Sequence, residues 1–320
     1  MRSGTAALVT AALIGLGGLG GLGTAGGVGV RGVAAGQSRF RTQIDLVSLG
    51  VTVVDRDGRL VTDLTRDDFV IVEDGVPQTV QYFARGDDLG GGPPLHLGLL
   101  FDTSGSMGED IRLSRTAAIR FLDALPEAED MTLVEFDSDV RISRFSQDDF
   151  PRLVERIRGR RPSGFTALYD ALGTYLAGAA EIDGRKVLVV YSDGGDTRSS
   201  ISWPDTLTLL QASDVTVYVI GFLRRVRSAG PLADRARLHR LAETTGGQAF
   251  FPGNLRDVEE AYEQVLAELR AQYTLGYVST NTTMDGGWRE VSIAATRSDL
   301  DRPRVRARAG YYALFREPSP

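Results

Sequence analysis

Two short runs constrain this chain more than any other feature. They are Leu97-Gly98-Leu99-Leu100-Phe101 and Val187-Leu188-Val189-Val190-Tyr191, apolar at every position and each stopped by a polar, acid-bearing segment. A strand wet on one face alternates apolar with polar residues. A strand without alternation is covered on both faces and belongs in the middle of a sheet flanked by helices. Helical spacing follows the first run, where Ile111, Ala118, Phe121, Leu122 and Leu125 recur before Pro126 ends the pattern. Further helices are expected over Asp148 to Arg158, Ala167 to Ala180, Asp205 to Ala212 and Leu232 to Thr245, with strands over Val215 to Phe222 and Gln248 to Phe251. A last helix carries Leu255, Val258, Tyr262, Val265 and Leu269 in steps of three and four. Met131 to Phe136 and Val140 to Phe145, joined by Asp137-Ser138-Asp139, read as a hairpin that gives the sheet an antiparallel edge. The expected fold over 95–271 is therefore α/β, a doubly wound and mostly parallel sheet.

The flanks read differently. Apolar residues alternate with polar ones from Ile44 to Val54, Asp55-Arg56-Asp57-Gly58 turns the chain toward Leu60-Val61, and strands are expected at Phe69 to Val72 and Thr79 to Phe83. Gly90-Gly91-Gly92-Pro93-Pro94 marks a linker within 87–94. Beyond the last helix, Gln272 to Thr280, Trp288 to Thr296 and Arg304 to Tyr312 read as strands. In the final one Arg304, Arg306 and Arg308 alternate with Val305, Ala307 and Ala309, so one face is expected to be wet. Four short strands cannot hide both faces alone. The economical arrangement is one small β-sandwich-like domain made from 42–86 and 272–314, with the α/β unit inserted and 315–320 as a tail.

Arg2 and the Gly-rich apolar stretch from Ala6 to Val30, followed by Val33-Ala34-Ala35-Gly36, fit a signal peptide over 1–36. The stretch is about 25 residues long, so an uncleaved membrane anchor is the rival reading, although its glycines weaken a spanning helix. Gly15-Leu16-Gly17-Gly18-Leu19-Gly20 matches a dinucleotide-binding pattern but precedes every strand and is discounted. The expected location is secreted, periplasmic or cell-surface. There is no cysteine, which excludes thiolate catalysis and Cys-ligated zinc, and the net charge of −6 argues against nucleic acid as a general partner.

The first apolar run ends at Asp102-Thr103-Ser104-Gly105-Ser106. Spacing of two residues lets Asp102, Ser104 and Ser106 point one way in an extended loop, which outlines a site for a hard, oxygen-loving cation. Plain turn chemistry is the competing reading. This pentapeptide resembles the opening of the metal-ion-dependent adhesion site of the von Willebrand factor A (VWA) family. The resemblance implies a threonine ligand before a helix, which Ser163-Gly164-Phe165-Thr166 supplies as Thr166, and a second aspartate at a central strand end, which is Asp193. It also implies a division of labour. Ser104 and Ser106 would bind the ion directly, Thr166 directly or through water, and Asp102 and Asp193 mostly through held waters. Mg²⁺ (or Mn²⁺ or Ca²⁺) would then keep a position open for an Asp or Glu of a protein partner. The flanks, Leu64 to Gln78, Gln272 to Tyr277 and Arg306 to Tyr312, look like those of VWFA-related secreted proteins of acidobacterial type.

Arg156, Arg158, Arg160 and Arg161 precede Thr166, and Arg224, Arg225 and Arg227 follow another strand end. Together they would favour an acidic partner, and separately they are a solvated face. Asp196 is a spare ligand or a turn residue, and Gly194 to Thr197 a flexible rim. Asp110, Glu135, Asp137 and Asp139 read as helix-terminus, edge-strand and turn residues. His96 and His239 read as structural, and no nucleophile elbow or Walker loop occurs. The expectation is a non-enzymatic, metal-dependent binding module. The alternatives are a scaffold with a structural or empty metal site and a metal-dependent hydrolase.

Overall fold

The computed structural model describes residues 46–86, 92–124, 128–223 and 230–316. The expected signal segment, most of the 87–94 linker, Pro126, the Arg224 to Arg227 cluster and the extreme C-terminus lie outside them.

The N-terminal flank holds β1 (Leu46–Val54), β2 (Phe69–Glu73), β3 (Val76–Gln78) and β4 (Tyr82–Arg85). The α/β unit follows, with β5 (Leu95–Asp102), α1 (Ile111–Asp123), β6 (Ala128–Phe136), β7 (Val140–Ser146), α2 (Phe150–Gly159), α3 (Leu168–Ala179) and β8 (Arg185–Ser192). It continues through α4 (Trp203–Ala212), β9 (Val215–Gly221), α5 (Gly230–Thr244), β10 (Ala249–Phe250) and α6 (Leu255–Ala271). The C-terminal flank is β11 (Tyr273–Val278), β12 (Trp288–Ala295), β13 (Arg304–Arg306) and β14 (Gly310–Tyr312).

Six strands form the central sheet in the order β10-β9-β8-β5-β6-β7, parallel except for the β6/β7 edge. Both apolar runs sit in its middle as β5 and β8, as strands hydrophobic on both faces must. On one face Leu97, Leu99, Val187 and Val189 pack with Phe121 of α1, Leu153 of α2 and Val265 of α6. On the other, Leu100, Leu188 and Val190 pack with Leu172 of α3, Leu210 of α4 and Leu241 of α5. Gly98 faces α3, where a Cβ would stand 2.3 Å from the Tyr175 ring, so only glycine lets the buried phenol lie on the strand. Gly98→Ala is expected to cost about 2 kcal/mol of stability by overpacking, read from urea unfolding.

Where the chain order around the sheet reverses, β5 and β8 lie side by side, and their carboxyl ends carry Asp102 and Ser192-Asp193. Open α/β sheets bind their ligands in such a crevice.

The flanking strands make two four-stranded antiparallel sheets, β13-β1-β11-β4 and β14-β12-β2-β3, around a shared core that includes Leu49, Val51, Phe69, Ile71, Tyr273 and Leu275. β4 and β11 are paired neighbours, so the chain leaves and re-enters this sandwich at one place, and the α/β unit is inserted between them.

Three local expectations are corrected. β1 takes its ladder partners from the far end of the chain, β11 and β13, and meets Leu60 only through a single bridge, so no regular hairpin forms there. Of the strand expected from Thr79 to Phe83 only Tyr82 and Phe83 belong to one, β4; residues 79–81 are the break between β3 and β4, which lie in different sheets, and let the chain cross the sandwich. The final strand divides the same way, into β13 and β14. Its arginine face is not wet throughout: Arg306 pairs with the buried Glu268 at 2.6 Å and donates to Gln248, while Arg308 donates to the carbonyls of Ser213 and Ser48. These contacts hold the sandwich to α6 and to the loop before β9. Among the described residues no helix is long and apolar enough to cross a membrane.

Candidate metal centre

Strand geometry delivers Asp102 to the end of β5 with its side chain fully buried. Its Oδ1 accepts the Ser104 backbone N–H at 2.9 Å, which turns the chain out of the sheet, and its Oδ2 accepts the Ser192 hydroxyl at 2.7 Å from the neighbouring β8. The Ser192 oxygen in turn accepts the Gly194 N–H at 3.0 Å. One hydroxyl thereby locks the two strand ends together. The Ser104 and Ser106 hydroxyls stand 3.0 Å apart, Ser104 buried and Ser106 exposed to solvent.

Thr166 is buried in the loop before α3, and backbone bonds fix that loop against the first one. The Ser163 N–H donates to the Thr103 carbonyl at 2.9 Å and the Gly105 N–H to the Gly164 carbonyl at 3.1 Å. Gly164, at φ +77, meets the Ser138 hydroxyl so closely that no Cβ fits. The third loop is tied to Thr166 itself, whose carbonyl accepts the N–H groups of Thr197 and Arg198 and whose N–H donates to the Thr197 hydroxyl. Asp193, half-buried, accepts the Gly195 N–H at 3.1 Å.

The structure thus knits the loops of Asp102, Thr166 and Asp193 into one hydrogen-bonded unit. Burial, and then the nearby Asp193 carboxylate, push the Asp102 pKa up to about 7 against the bonds from Ser104 and Ser192, which pull it down. Among the described residues no cationic side chain is among the largest influences on it. Among the described residues no cluster of three or more His, Asp or Glu side chains stands ready to hold a metal, so any ion here would depend on hydroxyls and water. The donor set, two carboxylates and three hydroxyls with no nitrogen or sulfur, fits Mg²⁺, Mn²⁺ or Ca²⁺ and is poor for softer metals.

The remaining sequence candidates lie elsewhere in the framework. Asp196 accepts the Tyr169 N–H at 3.0 Å and the Ser199 hydroxyl at 2.6 Å, so it caps α3 as a turn residue. The segment expected to be a flexible rim, Gly194 to Thr197, is bonded to the Thr166 loop through Thr197 and to the start of α3 through Asp196, and Asp170 holds the N–H groups of Ser200 and Ile201 just beyond it. Asp137 orders the β6/β7 turn with Arg141, whose guanidinium holds its carboxyl below the usual range against the effect of burial. Arg156 and Arg160 clamp the buried Glu135 at 2.6 and 3.0 Å, which takes them out of any basic face offered to a partner. The two ring nitrogens of His96 contact Asp130 Oδ2 and the Asp183 carbonyl, and His239 pairs with Glu243 one turn along α5.

Sequence reasoning does not single out two participants. In the sequence Ser192 is only the residue that closes the second apolar run, whereas in the structure its hydroxyl donates to Asp102. Asp234 of α5 packs against Gly194, and burial raises its pKa, with Asp193 adding to the rise and Arg237 opposing it. No local pattern marks Asp234, because helix packing alone brings it there.

Residues 96–264 match the von Willebrand factor type A domain, more than half of the chain. The chain belongs to the von Willebrand factor type A family. Solved structures similar to this VWA chain include a von Willebrand factor type A protein from Catenulispora acidiphila, at 12% identity and TM-score 0.48, covering 87% of this chain and 76% of that one. The pilus adhesin SpaC from Lactobacillus rhamnosus GG matches at 10% identity and TM-score 0.48, covering 77% of this chain and 46% of the adhesin. The PilB minor pilin from Streptococcus sanguinis matches at 13% identity and TM-score 0.45, covering 58% and 63%. This VWA chain therefore spans less than two thirds of the length of those two pilus proteins. No curated protein matches it.

Proposed function

We propose that this VWA chain is a non-enzymatic, adhesion-type binding module, secreted or displayed at the cell surface. It holds Mg²⁺ (or Mn²⁺ or Ca²⁺) between Asp102, Ser104, Ser106, Thr166 and Asp193 and captures an Asp or Glu of a partner protein. The observation that carries this reading is the pair Asp102 and Asp193: burial, and then repulsion from Asp193, raise the Asp102 pKa, and among the described residues no cationic side chain is among the largest influences on it. A divalent ion would convert that repulsion into attraction. With hydroxyls and water as the other donors, the ion would keep enough charge to attract an outside carboxylate. Neither histidine is in the site.

Calorimetric titration with Mg²⁺ tests the metal. Wild type is expected to show one saturable site and Asp102→Ala and Asp193→Ala to weaken it by at least about tenfold, each removing one of two charges. Equal affinity in all three would end the proposal. A pull-down from cell-envelope extract then tests the partner: retention must require Mg²⁺ and vanish with EDTA and with Asp193→Ala.

A further inference from the structure

A second concavity lies far from the candidate metal centre in sequence and uses none of its residues. It is a cavity of about 550 Å³, open to solvent, where α6 and the residue before β10 meet β13 and the turn after β1. Its volume is in the range of small-ligand sites.

The floor holds an internal ion pair, with Glu268 Oε2 left without a hydrogen-bond partner among the described residues. Arg306 binds Glu268 at 2.6 Å through Nη2 and Gln248 Oε1 at 2.6 Å through Nη1, so its charge is neutralised within the protein. The charge at the rim is not. Arg304 lines the same cavity, is exposed, and engages no acid among the described residues. Gln264 also lines it and is exposed, with its amide unengaged among the described residues, where the Gln248 NH₂ group likewise has no partner. Val54, Leu60 and Ala267 supply an aliphatic wall. Gly58, at φ +83, brings no side chain to the mouth, where a Cβ would come within 3.9 Å of Arg304.

We propose that this cavity binds the free C-terminal end of a peptide whose last residue is small and aliphatic. Arg304 takes the carboxylate, a planar anion suited to a guanidinium fork. Gln248 and Gln264 offer the donor and acceptor atoms that a peptide N–H and C=O require. The aliphatic wall receives the terminal side chain. That wall has no aromatic ring of the kind on which a sugar stacks, which separates a peptide terminus from an acidic sugar as occupant.

The test uses an N-acetylated alanine–valine dipeptide as the free acid, the same dipeptide as its C-terminal amide, and glucuronate. All are titrated calorimetrically into the whole protein with EDTA present, so that a carboxylate cannot report on the metal centre. The free acid is expected to bind saturably, the amide at least about tenfold more weakly, and glucuronate no better than the amide, because only the acid completes the charged pair. Arg304→Gln, at an exposed position, should weaken the acid by a similar factor with the melting temperature unchanged, and Gln264→Ala should weaken acid and amide alike. Acid and amide binding equally, glucuronate matching the acid, Arg304→Gln leaving affinity unchanged, or no saturable binding at millimolar acid would each overturn the proposal.

Discussion

In EDTA, raising the pH from 4 to 8 is expected to lower the unfolding free energy of wild type by about 4 kcal/mol relative to Asp102→Asn. Asp102 has a folded-state pKa raised to about 7 from 3.8. Between those values the folded chain holds a proton that the unfolded chain has released, so stability falls as pH rises through the window. Below pH 4 both states are protonated and above pH 7 both are ionised, so the difference levels off at each end. Other carboxyls, Asp137 among them, have lowered pKa values and act in the opposite direction at lower pH. Subtracting the Asp102→Asn curve removes them.

The asparagine variant suits this comparison because its amide can keep both contacts, accepting from the Ser104 N–H and donating to the Ser192 oxygen, without charge. Guanidinium unfolding at fixed ionic strength across pH 4–8 gives the two curves. Parallel curves would mean that Asp102 is as well solvated as an ordinary surface aspartate, and the repulsion from Asp193 would lose its basis.

The architecture was legible wherever one strand or helix reveals its environment by itself. Unbroken apolar runs fixed β5 and β8 in the middle of the sheet, and spacing of three and four residues placed α1 and α6. What remained hidden depends on which distant segment lies alongside. β1 carries an alternating pattern that says one face is buried but not that β11 covers its edge. The arginines of 304–308 alternate just as a wet face would, and only the approach of Glu268, Gln248 and Ser213 turns that face into a seam. Arg156 and Arg160 look like a basic patch until Glu135 is found buried beneath them. The candidate centre divides along the same line. Asp102, Ser104 and Ser106 declare themselves by spacing in one loop, and Thr166 and Asp193 through resemblance to a family. Ser192 and Asp234 have no signature, since a hydroxyl at a strand end and an acid on a helix are ordinary until packing gives them a neighbour.

Mg²⁺ affinity is expected to fall roughly tenfold for each pH unit below 7, reaching about a hundredfold loss at pH 5, because the ion and the proton compete for Asp102. The ion requires the carboxylate, while burial and Asp193 favour the acid. Binding below pH 7 must therefore expel a proton, and calorimetry in buffers of different ionisation enthalpy counts it directly. About one proton released at pH 6 and almost none at pH 8 is the expected pattern. Thr166→Ala, which removes a neutral donor, should lower affinity at every pH by a constant factor and leave the proton count unchanged. Affinity independent of pH between 5 and 8, alongside intact binding, would place the ion away from Asp102 and move the centre to some other group of oxygens.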